Sequence, residues 1–322
     1  MTSWTDRLQS LLVAAAAAAG LGIGLTTGWG SAGQYLVIPA LLVMLTAVFW
    51  QMDISRVSEI RRAKSLLTAS LLLNYVFTPA LAWALGAGLL GGQPDLRIGL
   101  LLLLVTPCTD WYLVFTSIAR GNTALAAALL PLNLVLQLVL LPLYVLLLGG
   151  EATMVDPAAV IQAVVLMLLL PLTAALLLRL ATRRSRTSVH QQVQRWASSS
   201  VVPLLCLAVC AMFAWQAPAV AEHAEQVLLL LPALGLFFLI LPAVATAAAW
   251  LLRLPGAQRV TLTMVTTARN SPLALGVAVA AFPDRPLTAV ALVLGALVEL
   301  PVLAVVAQLV RHRQAGTQPP AA

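Results

Sequence analysis

The chain has 322 residues, 61% of them hydrophobic and only 9% charged, with a net charge of +7 and a mean hydropathy of +0.98. A water-soluble domain carries roughly a quarter of its residues as Asp, Glu, Lys and Arg, so this composition excludes a soluble globular fold. The positive balance does not indicate nucleic-acid binding, because the basic residues fall on one side of a repeating pattern, and Cys108, Cys206 and Cys210 all lie in apolar runs, which argues against a disulfide framework.

Crossing a hydrocarbon core of ~30 Å takes about 20 apolar residues as a helix, and only helices or closed barrels satisfy their backbone in lipid. The apolar runs here are long, rich in Leu and Ala and without alternation, so they are helices. They predict an all-α polytopic membrane protein of ten spans: 8–27, 34–52, 66–89, 97–119, 123–147, 157–179, 198–216, 226–251, 259–281 and 287–310. The first reads as a retained helix rather than a cleaved signal peptide, since its flank is weakly charged and further spans follow at once. Residues 1–322 form one transmembrane unit ending in a short tail at 311–322.

The loops set the orientation. Arg7, Arg56, Arg61, Arg62, Lys64, Arg120, Arg179, Arg183, Arg184, Arg186, Arg195, Arg253, Arg259, Arg311 and Arg313 fall on one side, and only Arg97 and Arg285 on the other. Asp95, Glu151, Asp156, Glu222, Glu225 and Asp284 join that second side. Basic loops stay in the cytoplasm, so both termini are expected there, in the plasma (inner) membrane.

Spans four and nine are interrupted, at TPCTDWYLVF and TTARNSPLAL, about 160 residues apart. The same offset relates span three to eight and five to ten. Five spans per half means opposite insertion, so 8–147 and 157–310 read as inverted repeats, a plan that places the site at the midplane where two broken helices meet. Pro107 and Pro272 each lack a backbone donor and are the expected helix breaks.

Three ionisable residues lie inside spans: Asp110, Arg269 and Glu299. Such groups are costly in lipid unless paired or wet, and are functional candidates by default. With Thr106, Cys108, Thr109, Thr266, Thr267, Asn270 and Ser271 they make a polar cluster that implies a substrate or ion site. Cys108 borders a break, where a thiol is expected to be accessible and suits a soft centre such as trivalent arsenic. Asp110 and Arg269 are expected to pair, since opposite charges in lipid need each other. Glu299, between Gly295 and Pro301, can take a proton from one side and release it to the other. Trp111 and Tyr112 sit deep in span four, either walling the site or packing between helices. There is no H-E-x-x-H, no Walker loop and no Ser/His/Asp set, and His190, His223 and His312 fall in predicted loops. The expected protein is not an enzyme, needs no cofactor, and works on a small inorganic or organic solute with protons as the coupling partner in the lipid bilayer. No pattern specifies an oligomeric state.

Four stretches, LLLNYVFTPALAWAL at 71–85, TPCTDWYLVF at 106–115, ARNSPLALGVAVAAF at 268–282 and LVELPVLAVV at 297–306, resemble the bile acid/arsenite/riboflavin transporter superfamily, most closely its arsenite efflux permease branch. The resemblance covers nearly all of 8–311. It implies helices four and nine crossing while unwound, with spans 1, 2, 6 and 7 as a panel beside the core. It also implies efflux of arsenite or a related trivalent metalloid by proton antiport, with Cys108 and Glu299 as the functional pair. The chain departs from that branch at Asp110, usually small and neutral, and at Arg269-Asn270-Ser271-Pro272, usually Asn-Asn-Phe-Glu. Against the sodium-coupled symporters, Val265 and Arg269 replace a Glu-x-x-x-Gln pattern, and a fixed cation there repels sodium. The alternative implied is transport of a small organic anion, with Arg269 binding it.

Overall fold

A computed structural model of the protein describes residues 4–51, 63–109, 111–149, 157–183, 187–222, 225 and 228–315. Among the described residues the named elements are all helices, with no strand. They form α1 (Trp4–Thr26), α2 (Gly33–Gln51) and α3 (Lys64–Leu89), which contains a π turn at Leu73–Phe77. Then come α4 (Pro94–Leu104), α5 (Trp111–Ile118) and α6 (Thr123–Leu148). Helix α7 runs as Pro157–Val164, a second π turn at Val165–Leu169, and Leu170–Arg183. The chain continues as α8 (Thr187–Glu222), α9 (Leu230–Leu251), α10 (Gly256–Thr267), α11 (Ser271–Ala281) and α12 (Pro286–Ala315).

Seven of these, α2, α3, α6, α7, α8, α9 and α12, hold a stretch long and apolar enough to cross a membrane. The other predicted spans are α1, whose apolar part is the shorter Ala14–Thr26, and the two interrupted pairs α4–α5 and α10–α11. Prolines inside α2, α6, α8, α9 and α12 do not end these helices. In lipid the alternative to a helix is an unpaired backbone, so a single lost donor is tolerated. Helix α8 starts well before its predicted span, and His190 lies in its first turns rather than in a loop. The polar residues there, including Gln191, Gln192 and Gln194, are adequate helix formers and carry the helix beyond its apolar stretch. His312 likewise falls inside α12. His223, Asp110, Glu151, Asp156 and the Arg56–Arg62 region lie outside the described residues.

One group of helices is α1, α2, α7 and α8, with α8 lying along both α1 and α2. These are the helices that the resemblance implied as a panel. The approach is close because its contact points are glycines. A Cβ placed at Gly20 or Gly24 would sit 2.2 Å from the carbonyl oxygen of Cys210 or Ala214, and one at Gly33 2.2 Å from that of Ala211. Gly20 and Gly24 are spaced as small-xxx-small, the pattern by which helices associate in lipid, where no hydrophobic drive separates them from the acyl chains. The other helices pack around the interrupted pairs: α4 on α12 and α3, α10 on α9, and α11 on α12 and α7. At one end of this group Arg285, just before α12, reaches Asp95 in the first turn of α4 at 3.5 Å.

Candidate functional site

The two interruptions satisfy each other. At the two breaks, Pro107 and Arg269 face one another as an antiparallel bridge. The Cys108 N–H donates to Ala268 O at 3.1 Å and the Asn270 N–H to Thr106 O at 2.8 Å. Backbone groups that leave a helix in a dry interior must find partners, and here the partners come from the opposite break. Pro107 therefore lies in the bridge itself, whereas Pro272 is in the first turn of α11, a position where a missing N–H costs nothing. The non-helical residues of the second break are 268–270.

Four half-helix ends converge at this crossing, and each polarity has its complement. Glu299 on α12 is buried, at 3% exposure. Its Oε1 accepts from the Arg269 N–H at 2.6 Å and its Oε2 from the Ser271 hydroxyl at 3.0 Å. A carboxylate is thus held against the N-terminus of α11, whose partial charge is positive. Asn270 caps the same helix, accepting from the Leu273 N–H at 3.2 Å, and its Nδ2 donates to Thr109 Oγ1 at 3.1 Å. The binding candidates Thr109, Asn270 and Ser271 are therefore linked in one network with Glu299.

At the opposite polarity lies Arg269, 1% exposed. Its Nη1 donates to Leu104 O at 2.7 Å, its Nη2 to Asn74 Oδ1 at 2.9 Å and to Thr266 O, and its Nε to Thr267 O at 3.4 Å. Leu104 ends α4, and Thr266 and Thr267 end α10. Their carbonyls are among the last of each helix, which have no intrahelical partner. The guanidinium also lies over the Phe237 ring, 5.6 Å from its centroid. The pairing expected of Arg269 with Asp110 concerns a residue outside the described set.

Cys108 is fully buried. The accessible thiol expected from the sequence is absent in this conformation, in which Cys108 is also tied to Ala268 through its backbone. Tyr112 is also fully buried and donates to Ala126 O at 2.8 Å, so it ties α5 to α6. Trp111 is the first residue of α5. Cys206 and Cys210 lie half-buried on α8, in the panel.

Several contributors were not singled out from sequence. Asn74 sits in the π turn of α3, which carries it to Arg269. Gln137 of α6 donates through Nε2 to Pro107 O. Tyr75 donates to Asn133 O at 3.0 Å and receives at its own carbonyl the Tyr144 hydroxyl at 2.6 Å. Asn74, Asn133 and Gln137 are amides in otherwise apolar runs, and that was the available signal. Among the described residues no group of three or more His, Cys, Asp or Glu side chains could hold a metal ion.

The description "Sodium Bile acid symporter family" belongs to a family model that matches residues 38–223. Among curated proteins, an arsenical-resistance protein of Corynebacterium glutamicum is 25% identical over 278 residues, covering 82% of this chain and 74% of its own. An arsenical-resistance protein of Alkaliphilus metalliredigens is 26% identical over 215 residues, 65% of this chain and 59% of its own.

Proposed function

Because the chain belongs to the sodium bile acid symporter family, we propose that it is a secondary transporter that exports arsenite or a related trivalent metalloid in exchange for protons. The relatives named for arsenical resistance support the substrate class. The observation that carries the mechanism is that a thiol and a titratable carboxyl are anchored to the same crossing, Cys108 through Ala268 and Glu299 through Arg269 and Ser271. In this reading the ten spans form inverted halves, 8–147 and 157–310, with both termini cytoplasmic in the plasma membrane.

As a carboxylate, Glu299 holds the crossing closed through two charge-assisted hydrogen bonds. A proton on the carboxyl turns one acceptor into a donor, so the Ser271 contact must reverse and both contacts weaken to neutral hydrogen bonds. The bridge loosens toward the side that supplied the proton. There water adds across the sulfur–arsenic bond, its hydrogen restoring the Cys108 thiol and its hydroxyl returning to arsenic, and the solute leaves. Loss of the Glu299 proton to the cytoplasm readies the site for the next metalloid: the Cys108 sulfur bonds to arsenic as the thiol proton leaves with one arsenic-bound hydroxyl as water, while Thr109, Asn270 and Ser271 meet the remaining hydroxyls, with Trp111 as a wall. Asp110, next to Thr109, completes the set of intramembrane charges through which coupling is exerted. The organic-anion alternative needs free donors on Arg269, and those donors are directed at protein oxygens. The test is expression in an arsenite-sensitive bacterium. Lower arsenite accumulation and growth at higher arsenite are expected, and unchanged accumulation with the protein verified in the membrane would overturn the reading.

A further inference from the structure

The surroundings of Arg269 are those of a cation site. Leu104 O, Thr266 O, Thr267 O and Asn74 Oδ1 form a cage of four oxygens about one guanidinium, closed by the face of Phe237. Three of the four are carbonyls at the C-terminal ends of α4 and α10, where the helix dipole is negative. Two such ends pointed at one another in a dry interior repel unless a positive charge lies between them. Secondary transporters commonly meet this need with a bound monovalent cation held by half-helix C-terminal carbonyls, and oxygen donors of this kind suit alkali cations.

We propose that the Arg269 side chain is a covalently tethered substitute for a bound monovalent cation: it occupies the cage permanently, so the crossing is assembled without sodium, and removing it opens a latent cation site. The side chain is suited to the task. Its planar fork reaches three elements at once, α3 through Asn74, α4 through Leu104 and α10 through Thr266 and Thr267, and it is never deprotonated in ordinary conditions. A tethered cation cannot be exchanged between the two sides of a membrane, so it does not contribute to driving transport. It acts by positioning the two breaks. The inference concerns assembly of the crossing and holds whatever solute is carried.

The test is thermal melting of the purified protein in detergent, at matched ionic strength, in sodium, potassium, choline or a low concentration of guanidinium chloride. The parent should melt at the same temperature in sodium as in choline. Arg269→Ala and Arg269→Gln should melt several degrees lower in choline and regain stability, saturably, with guanidinium or an alkali cation. Arg269→Lys, which keeps a tethered cation, should accumulate in the membrane and ignore sodium. The proposal is overturned if the parent is stabilised saturably by sodium over choline, if the alanine variant melts like the parent or responds equally to all four salts, or if the lysine variant is as damaged as the alanine one. None of these readouts depends on the transported solute, so they are independent of the arsenite accumulation assay.

Discussion

Glu299→Gln removes the charge at the crossing while keeping its shape. In the native protein the carboxylate accepts from the Arg269 N–H at 2.6 Å and from the Ser271 hydroxyl at 3.0 Å. Glutamine can still accept from the N–H through its carbonyl oxygen and can donate its amide to Ser271 Oγ, so both contacts survive as neutral hydrogen bonds. Bonds to charged groups contribute ~1.5–3 kcal/mol against ~0.5–1.5 kcal/mol for neutral ones. The substitution therefore costs about 1–1.5 kcal/mol per contact, or about 2–3 kcal/mol in all. On the scaling for soluble domains of 150–250 residues this lowers Tm by about 4–12 °C. Glu299→Ala, which orphans the buried Arg269 N–H, should lose a further ~1–3 kcal/mol. Thermal melting in detergent measures this part. In proteoliposomes the glutamine variant should exchange solute down its gradient but not export uphill on a pH gradient, because an amide does not titrate. PH-driven uphill export at the parental rate would refute the coupling role, and a melting temperature within a degree of the parent would refute the hydrogen-bond reckoning.

Cys108→Ser should abolish metalloid export with membrane accumulation unchanged, whereas Cys206→Ser and Cys210→Ser should leave export near the parental rate; export by a protein lacking all three cysteines would exclude the thiol as ligand. Asn74→Ala removes one acceptor from Arg269 and should destabilise by ~1–3 kcal/mol, read as a lower melting temperature. Gly24→Val forces a side chain against the Ala214 carbonyl, 2.2 Å from where its Cβ would stand. Overpacking of this kind costs ~1–3 kcal/mol, so membrane accumulation or melting temperature should fall. Gly22→Ala meets nothing within 4 Å and should be neutral in the same assay.

The charge arrangement gives the crossing a specific logic. Each half-helix N-terminus or C-terminus at the crossing is an unscreened partial charge, and in a low-dielectric interior the cost of leaving it bare is large. Glu299 lies at the N-terminus of α11 and Arg269 at the C-termini of α4 and α10. The two residues do not need to touch through their side chains to stabilise one another, because the Arg269 backbone joins them: its N–H belongs to the carboxylate and its guanidinium to the carbonyls. A change at either is thereby transmitted to the segment that also holds Cys108 and Asn270.

The sequence by itself determined the membrane class, the positions of the apolar helices and the existence of two interruptions. Each of these depends on composition and local spacing: a run of Leu and Ala has no other way to satisfy its backbone in lipid, and a cluster such as TPCTDW has no reason to stand inside one. It also isolated Cys108, Arg269 and Glu299, because a polar residue in an apolar run is visible without a fold. Only the tertiary structure decided what these residues face. That the thiol is covered, that Glu299 accepts from the Arg269 N–H, and that Arg269 is held by carbonyls of Leu104, Thr266 and Thr267 all depend on backbone atoms. Every residue carries the same carbonyl, and every residue but proline the same N–H, so side-chain patterns do not distinguish them. Asn74 reaches the guanidinium only through a π turn, and Gly20 and Gly24 matter only because α8 lies against them. Such contacts join positions far apart in the chain, and their geometry arises when the helices pack.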